Sequence, residues 1–301
     1  YMKSVVSYPE RNDRYGNNKY RGNCSGEIIK DFINQYNMNY LSDYMIGGGT
    51  TEDVCKEMNV NGIWTDLRLG FNMLTDDIPD RPSNIFWHPP YHDIVVYSGN
   101  MYNSRHTENL YGYNPEEYDL SRCKSYEDFI KKLNYCMIKQ FAALETGGHM
   151  GVLMGDIKKK GKLYSMLLDI AKPGTIENIV IKMQHNCFSD NTVYSNDKFI
   201  RIIHEYFLII RKELPFMLDY VITKKQSLDI RDSENVLWKD VIAAVIRYYN
   251  RPVTLGDIYE QVKEYKKAKN NKNPEAKVRQ ILYEYKNVFE KTGDKWTLVN
   301  M

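Results

Sequence analysis

One stretch limits what the chain can fold into more than any other. An apolar run, Tyr40-Leu41-Ser42-Asp43-Tyr44-Met45, passes straight into Gly47-Gly48-Gly49-Thr50-Thr51, and Glu52 to Met58 then opens a helical pattern. The order is strand, glycine loop, helix. The next segment, Gly62-Ile63-Trp64-Thr65-Asp66, reads as a second short strand ending in an acid. Ser83 to Trp87 reads as a third, ending at His88-Pro89-Pro90-Tyr91. Strands that alternate with helices, each ending in a polar or glycine-rich turn, predict an α/β fold.

The rest of the chain extends this pattern. Ile28, Ile29, Phe32 and Ile33 give helical spacing over Glu27 to Tyr36, with Ser25 placed as an N-cap. From Ser125 to Thr146, Phe129, Leu133, Met137 and Phe141 form one stripe, and Gly147-Gly148 ends that helix. Met150 to Met154, Ile179 to Met183 and Ile202 to Ile210 supply further strands. The expected architecture is a largely parallel, Rossmann-like sheet with helices on both faces. Periodicity fails between Leu214 and Glu234, so residues 1–231 and 232–301 are read as two domains. The second carries three helical patterns (Val236 to Tyr249, Thr254 to Tyr265, Pro274 to Tyr285) and a hairpin around Thr292-Gly293-Asp294. That order resembles a winged-helix module.

Composition narrows the function classes. A length of 301 residues with 43% hydrophobic content supports one large core and a small second domain. Met2 is the expected natural start, with Tyr1 an addition ahead of it. No apolar run approaches the ~18 residues of a membrane span, and no signal peptide is evident, so a cytoplasmic protein is expected. The five cysteines are odd in number, scattered and never spaced as CxxC, which predicts neither a disulfide framework nor a zinc site. His185 and Cys187 form a lone H-x-C, which is more often a loop feature than a ligand pair. The net charge of +2 does not by itself indicate a nucleic-acid partner, because it hides how charge is distributed. Residues 232–301 hold 13 Lys and Arg against 10 Asp and Glu, and Lys263 to Lys272 is lysine-rich.

Two segments carry candidate chemistry. A glycine loop between strand and helix lets backbone N–H groups approach a ligand, and an acid after the next strand, Asp66, can hold ribose hydroxyls. Neither G-x-G-x-x-G nor a Walker lysine is present, so a phosphate cradle is not indicated. A tight turn can also use glycine with no ligand at all. In His88-Pro89-Pro90-Tyr91 two prolines fix a rigid turn with its carbonyls in set directions, and Tyr91 offers a π-face on which a flat base could stack. The other reading is a proline turn closed by a packing tyrosine. His92 and Asp93 could move a proton, but surface polarity is the simpler account. After the turn, Tyr97, Tyr102, Arg105, His106, Tyr111 and Tyr113 make an aromatic and basic loop, suited to an extruded nucleotide or simply ordered.

Taken in order, these segments resemble the S-adenosylmethionine-dependent amino-methyltransferases that modify adenine N6 or cytosine N4 in DNA. The likeness covers roughly residues 15 to 215. It implies that Asp43 to Thr50 (DYMIGGGT), with Met45, Gly47, Gly49 and Thr51, binds the methionine part of the cofactor, and that Asp66 contacts its ribose. It further implies that Asp76 or Asp77 reads the cofactor adenine and that His88, Pro89, Pro90 and Tyr91 hold the target base. Asn23 and Ser25 fall in the family's N-terminal cofactor motif, and His204 to Lys212 resembles a late strand of these enzymes. The chain departs from the family at His88, where Asp, Asn or Ser is usual. The implied partner is DNA, contacted by Tyr97 and Arg105 and by Lys277, Arg279 and Gln280 of the C-terminal domain, with a restriction or defence-system partner in view. An RNA methyltransferase and a nucleic-acid-binding protein that has lost catalysis are the alternatives.

Overall fold

A computed structural model describes residues 2–97, 115–185, 200–213, 220–221 and 236–299. The chain divides into two compact units, Tyr1–Thr223 and Lys224–Met301. The division thus falls ahead of the expected 231/232, and residues 222–235, which carry the expected boundary, lie outside the described residues. No helix among the described residues is long and apolar enough to cross a membrane.

In chain order the first unit contains β1 (Val5–Ser7), α1 (Gly26–Tyr36), α2 (Thr50–Glu57), β2 (Asn84–Trp87), α3 (Tyr126–Ala143), β3 (His149–Met154), β4 (Asp156–Lys159) and β5 (Lys162–Ser165). There follow α4 (Met166–Asp169), β6 (Lys172–Pro173), β7 (Thr175–Met183), β8 (His204–Arg211) and β9 (Tyr220–Val221). The main sheet has the order β1-β7-β8-β3-β2. β1 lies parallel to β7 and β2 parallel to β3, but β8 runs antiparallel to both of its neighbours. The sheet is therefore mixed rather than largely parallel. Beyond β2 the parallel pairing continues only as isolated bridges, Ser42↔Ile85, then Asp43↔Trp64 and Tyr40↔Asn61. The strands expected over Tyr40–Met45 and Gly62–Asp66 are cut short because their own acids turn the backbone. Asp43 accepts from the Met45 N–H at 3.0 Å, and Asp66 accepts from the Arg68 N–H at 3.0 Å to cap a short 3₁₀ turn.

Helices form where an apolar stripe meets a cap. Ser25 accepts from the Glu27 N–H to start α1, and Asn37 closes it in the left-handed region with its N–H on the Ile33 carbonyl. Ser125 accepts from the Asp128 N–H at the start of α3, whose Phe129, Leu133, Met137 and Phe141 are all buried.

The sheet separates two cores by the two-residue period of its strands. Ile85, Trp87, Met150, Val152, Leu208 and Ile210 pack with α3 on one face. Phe86, Leu153, Phe207 and Ile209 pack with α1 and α2 on the other. Helices thus cover both faces of a Rossmann-like α/β sheet. Gly151 lets the second face close, since a Cβ there would lie 2.4 Å from Phe207 Cζ and 2.9 Å from Phe32 Cε1.

The second unit contains α5 (Trp238–Tyr249), β10 (Val253–Thr254), α6 (Leu255–Val262), α7 (Lys266–Lys269), α8 (Pro274–Glu284), β11 (Phe289–Thr292) and β12 (Lys295–Leu298). β10, which the sequence patterns do not predict, pairs antiparallel with β12 and turns the expected hairpin into a three-stranded sheet. A reciprocal pair starts α6: Thr254 accepts from the Asp257 N–H, and Asp257 accepts from the Thr254 N–H. The core of this unit includes Ile242, Ile246, Ile258, Leu282, Phe289 and Trp296.

The crowding at position 151 yields a stability test. Gly151→Ala is expected to lower unfolding free energy by about 1–3 kcal/mol through overpacking against Phe207 and Phe32, measured by urea denaturation. A change within about 0.5 kcal/mol would mean that those rings yield freely.

Candidate functional site

The glycine loop is held from three sides. Gly47 donates its N–H to Asp66 Oδ2 at 3.0 Å, and its carbonyl accepts from Arg68 Nε at 2.8 Å. Gly48 donates to Asn23 Oδ1 at 3.2 Å, and its carbonyl accepts from the Asn17 N–H at 2.8 Å. Asn23 in turn donates to the Asn17 carbonyl at 2.6 Å. The close approach explains glycine at these two positions. A Cβ on Gly48 would stand 2.3 Å from Asn23 Oδ1, and one on Gly47, whose φ is +50°, would stand 2.9 Å from Tyr20 Cε1. Beneath the loop, Asp43 accepts from Thr51 Oγ1 at 2.6 Å.

These groups border a cavity of about 890 Å³, counted out to its open mouth. Asn23, Asp43, Met45, Gly47, Thr50, Thr51 and Asp66 line it on the loop side, and His88, Pro90 and Tyr97 also belong to its wall. The structure therefore brings most of the sequence-predicted cofactor residues and part of the His88 turn to one cavity. Others fall elsewhere. Gly49 stands at the N-terminus of α2 and Ser25 caps α1, and neither is among the lining residues. Asp76 is drawn into its own turn, accepting from the Asn72 N–H at 2.8 Å and from Thr75 Oγ1 at 2.9 Å. Asp77 is exposed. Asn72, Met73 and Leu74 line the cavity where those two acids were expected. Lys277, Arg279 and Gln280 sit on α8 of the second unit, where Arg279 donates to Tyr259 Oη at 3.0 Å and Lys277 to Gln280 Oε1 at 3.0 Å. Arg105 lies outside the described residues, as do Tyr102, His106, Tyr111, Tyr113 and Cys187.

The wall combines acids with aromatic surface. Burial pushes the Asp43 carboxyl up to about 7 against the opposing bonds from Thr51 and Met45, with Asp66 adding to the rise. Burial also raises Asp66, countered by the N–H groups of Arg68 and Gly47 and by the Arg68 charge. Tyr20 and Tyr97 stack at 5.5 Å between ring centroids, and both line the cavity with Phe71 and Phe86. Thr50 Oγ1, also in the wall, is buried and has no hydrogen-bond partner among the described residues. Two buried carboxylates, an unmatched hydroxyl and flat apolar walls suit a ligand with a positive charge, hydroxyl groups and an aromatic ring. Among the described residues, no group of three or more His, Cys, Asp or Glu side chains is placed to hold a metal ion.

No protein-family profile matches the chain, and no curated protein matches it. Solved structures do. A candidate DNA modification methylase from Thermus thermophilus, crystallised with S-adenosyl-L-methionine, is similar at 14% identity and a TM-score of 0.28, over 67% of this chain and 64% of that one. TrmN from Thermus thermophilus is similar at 11% identity and a TM-score of 0.32, over 64% and 50%. An S-adenosylmethionine-dependent methyltransferase from Archaeoglobus fulgidus is similar at 12% identity and a TM-score of 0.31, over 64% and 96%. The chain spans about three fifths of the length of the first structures it matches, between 58% and 64%. The architecture rests on strand order and pairing.

At the second motif, Trp87 ends β2 and is fully buried. His88 Nε2 lies 3.0 Å from Tyr91 Oη, and burial holds the His88 pKa below the usual histidine value, with Glu205 opposing that shift. Tyr91 is engaged by two later residues, Gly155 and Glu205. Its ring crowds Gly155, where a Cβ would lie 2.8 Å from Tyr91 Cε2, and its hydroxyl donates to Glu205 Oε1 at 2.6 Å. Neither Tyr91 nor Pro89 is among the lining residues. His92 is buried rather than a surface group; it packs on Phe129 at 5.3 Å, and its Nε2 lies 3.1 Å from the Cys123 carbonyl oxygen. Sequence reasoning missed Tyr20, Asn17, Asn72 and Arg68, whose roles depend on contacts that no motif spells out.

Asp43 sets a pH dependence. A carboxyl with a folded pKa of about 7 and an ordinary unfolded value carries its burial penalty above pH 7 and sheds it as pH falls. The ligand-free protein is expected to gain on the order of 1 kcal/mol from this group between pH 8 and pH 6. Denaturant titrations of wild type and Asp43→Asn at the two pH values test this, because the variant should lack that gain. Equal slopes in both proteins would show that Asp43 is already ionised at pH 6.

Proposed function

We propose that the protein is an S-adenosylmethionine-dependent methyltransferase that acts on the exocyclic amino group of a DNA base, adenine N6 ahead of cytosine N4. One observation carries the reading: the Asp43 to Thr51 loop, Asp66 and the His88 turn, each singled out by sequence, border the same cavity. The residues present also fit the cofactor. Buried acids and Gly47 border the cavity, and the hydroxyl of Thr50 has no other partner among the described residues. Asn23, Asp43, Gly47, Thr50 and Thr51 would hold the methionine end, Asp66 the ribose hydroxyls, and Asn72 to Leu74 with Tyr20 the adenine. Bound S-adenosylmethionine supplies an electrophilic methyl group on sulfur.

The chain's own contribution is positioning. For transfer, the target nitrogen would turn its lone pair out of conjugation with the base and toward that methyl; the C–N bond would form as the methyl–sulfur bond breaks, and the proton displaced from nitrogen would pass to solvent. His88, kept neutral by burial, accepts a hydrogen bond from the amino group through its unprotonated ring nitrogen. Pro90 and Tyr97 confine the base. The second unit is read as a winged helix whose α8 presents Lys277, Arg279 and Gln280 to DNA. Site-specific modification beside a restriction or defence-system partner belongs to the same proposal.

Three measurements test this. Labelled methyl should pass from S-adenosylmethionine into mixed-sequence duplex DNA, and nucleoside digestion with mass spectrometry should give N6-methyladenine; label in RNA or protein alone, or none despite cofactor binding, would reject the DNA assignment. His88→Ala should lower kcat by about 100-fold or more. At saturating cofactor, the wild-type rate should hold from pH 8 to about 6.5 and fall below that, because protonation removes the acceptor and the His88 pKa lies under the ordinary value. A His88→Asn variant should show no such fall. For the second unit, Lys277→Ala with Arg279→Ala should weaken DNA binding and reduce the salt slope by about one per lost phosphate contact. Affinity that scarcely changes between roughly 50 and 200 mM salt in wild type would remove these residues from the interface.

A further inference from the structure

A chain of polar contacts runs from His88 into the protein through residues that do not line the cavity. Lys182 on β7 and Glu205 on β8 are direct cross-strand partners, and both are buried. Lys182 Nζ donates to Glu205 Oε2 at 2.7 Å, and Tyr91 Oη donates to the other oxygen, Glu205 Oε1, at 2.6 Å. None of these three residues is among those lining the cavity. A buried ion pair commonly adds little to stability compared with apolar residues of the same size, so its presence here calls for another explanation.

Proton counting along the chain supplies one. Tyr91 has a single hydroxyl proton, and the carboxylate of Glu205 takes it. Toward His88 Nε2, 3.0 Å away, the phenol oxygen can then only accept. Nε2 must therefore carry the ring proton, and Nδ1 of the neutral ring must be bare. The opposite tautomer would set two acceptors against each other at Nε2. It would also leave an N–H as the donor offered to any amino group in the cavity.

We propose that Lys182, Glu205 and Tyr91 are positioning residues that lock His88 in its Nε2–H tautomer, so that Nδ1 serves as the acceptor for the target amino group. This rests on the reading of His88 given above. It explains how histidine can stand where the enzymes this chain resembles carry Asp, Asn or Ser. Those side chains always present an acceptor, whereas histidine does so reliably only if its tautomer is fixed. Lys182 keeps Glu205 ionised, Glu205 orients the Tyr91 hydroxyl, and the hydroxyl orients the ring.

The test reads the tautomer directly and needs neither cofactor nor substrate. Protein labelled with ¹⁵N at its six histidines is examined by long-range ¹H–¹⁵N correlation at pH 8, with His88 assigned from the His88→Asn variant. Wild type is expected to show a protonated Nε2 and a bare Nδ1. The double variant Lys182→Met/Glu205→Leu replaces the ion pair with apolar side chains of similar length, which keeps the strands packed. There the Tyr91 hydroxyl loses its acceptor and turns to donate to Nε2, so the ring should shift to Nδ1–H. If methyl transfer is present, kcat should fall about 10- to 100-fold while KM for the cofactor is unchanged. A wild-type Nδ1–H ring, or one tautomer in both proteins, overturns the relay. An inverted tautomer with unchanged kcat overturns its positioning role. Failure to detect methyl transfer on any substrate would reject the proposed function and leave the tautomer result standing.

Discussion

The site depends on one short parallel contact. Ser42 donates its N–H to the Asn84 carbonyl at 3.0 Å and accepts from the Phe86 N–H at 3.0 Å, which places Ser42 beside Ile85 with the two segments running the same way. Parallel neighbours leave a sheet at the same end, so the loop after Asp43 and the turn after Trp87 emerge side by side. The Asp43↔Trp64 bridge brings Asp66 to that end as well. Had the pairing been antiparallel, the glycine loop and His88 would stand at opposite edges, a full strand length apart.

The surrounding structure offsets what this end costs. Asp43 and Asp66 are buried acids, Thr50 keeps a hydroxyl without a partner among the described residues, and Lys182 and Glu205 hold opposite charges out of water. None of these is an economical way to stabilise a fold. They persist because the sheet is packed on both faces, with Trp87, Phe129 and Leu133 fully buried on one side and Phe32, Ile28 and Ile29 on the other. Apolar burial of that extent offsets the cost of these polar groups.

What sequence could reveal was local. Ser25, Ser125 and the stripe from Phe129 to Phe141 mark helices because a cap and a 3.6-residue period are written within a few residues of each other. The glycine loop and the His88 turn were legible for the same reason. The direction of β8 was not, because a buried strand reads as the same apolar run whichever way it points. The shortness of the 40–43 and 61–64 pairings depends on two acids that bond their own backbone, and the sequence offered them equally as ligands for something else. Asp76, an acid singled out by its position, bonds its own turn in the same way. The pairing of Lys182 with Glu205 carried no signal, since only the register of β7 against β8 makes them neighbours.

The N-terminal arm also ties together parts of the chain that are far apart in time. Asn17 and Asn23 grip Gly48, and Gly16 donates to Asp53 at 2.8 Å, so the wall beside the loop is made from residues synthesised before the loop itself. At the other limit, the support behind His88 awaits Glu205 on β8. The cavity is thus lined by residues between Tyr20 and Leu120, whereas the contact behind His88 comes from a late strand of the first unit. A nascent chain that has emerged only as far as α3 holds the loop, the arm and the His88 turn, but not the strand whose Glu205 accepts from Tyr91. The Tyr91–Glu205 contact behind His88 therefore needs a strand that lies between β7 and β3 and is made after both the arm and the loop.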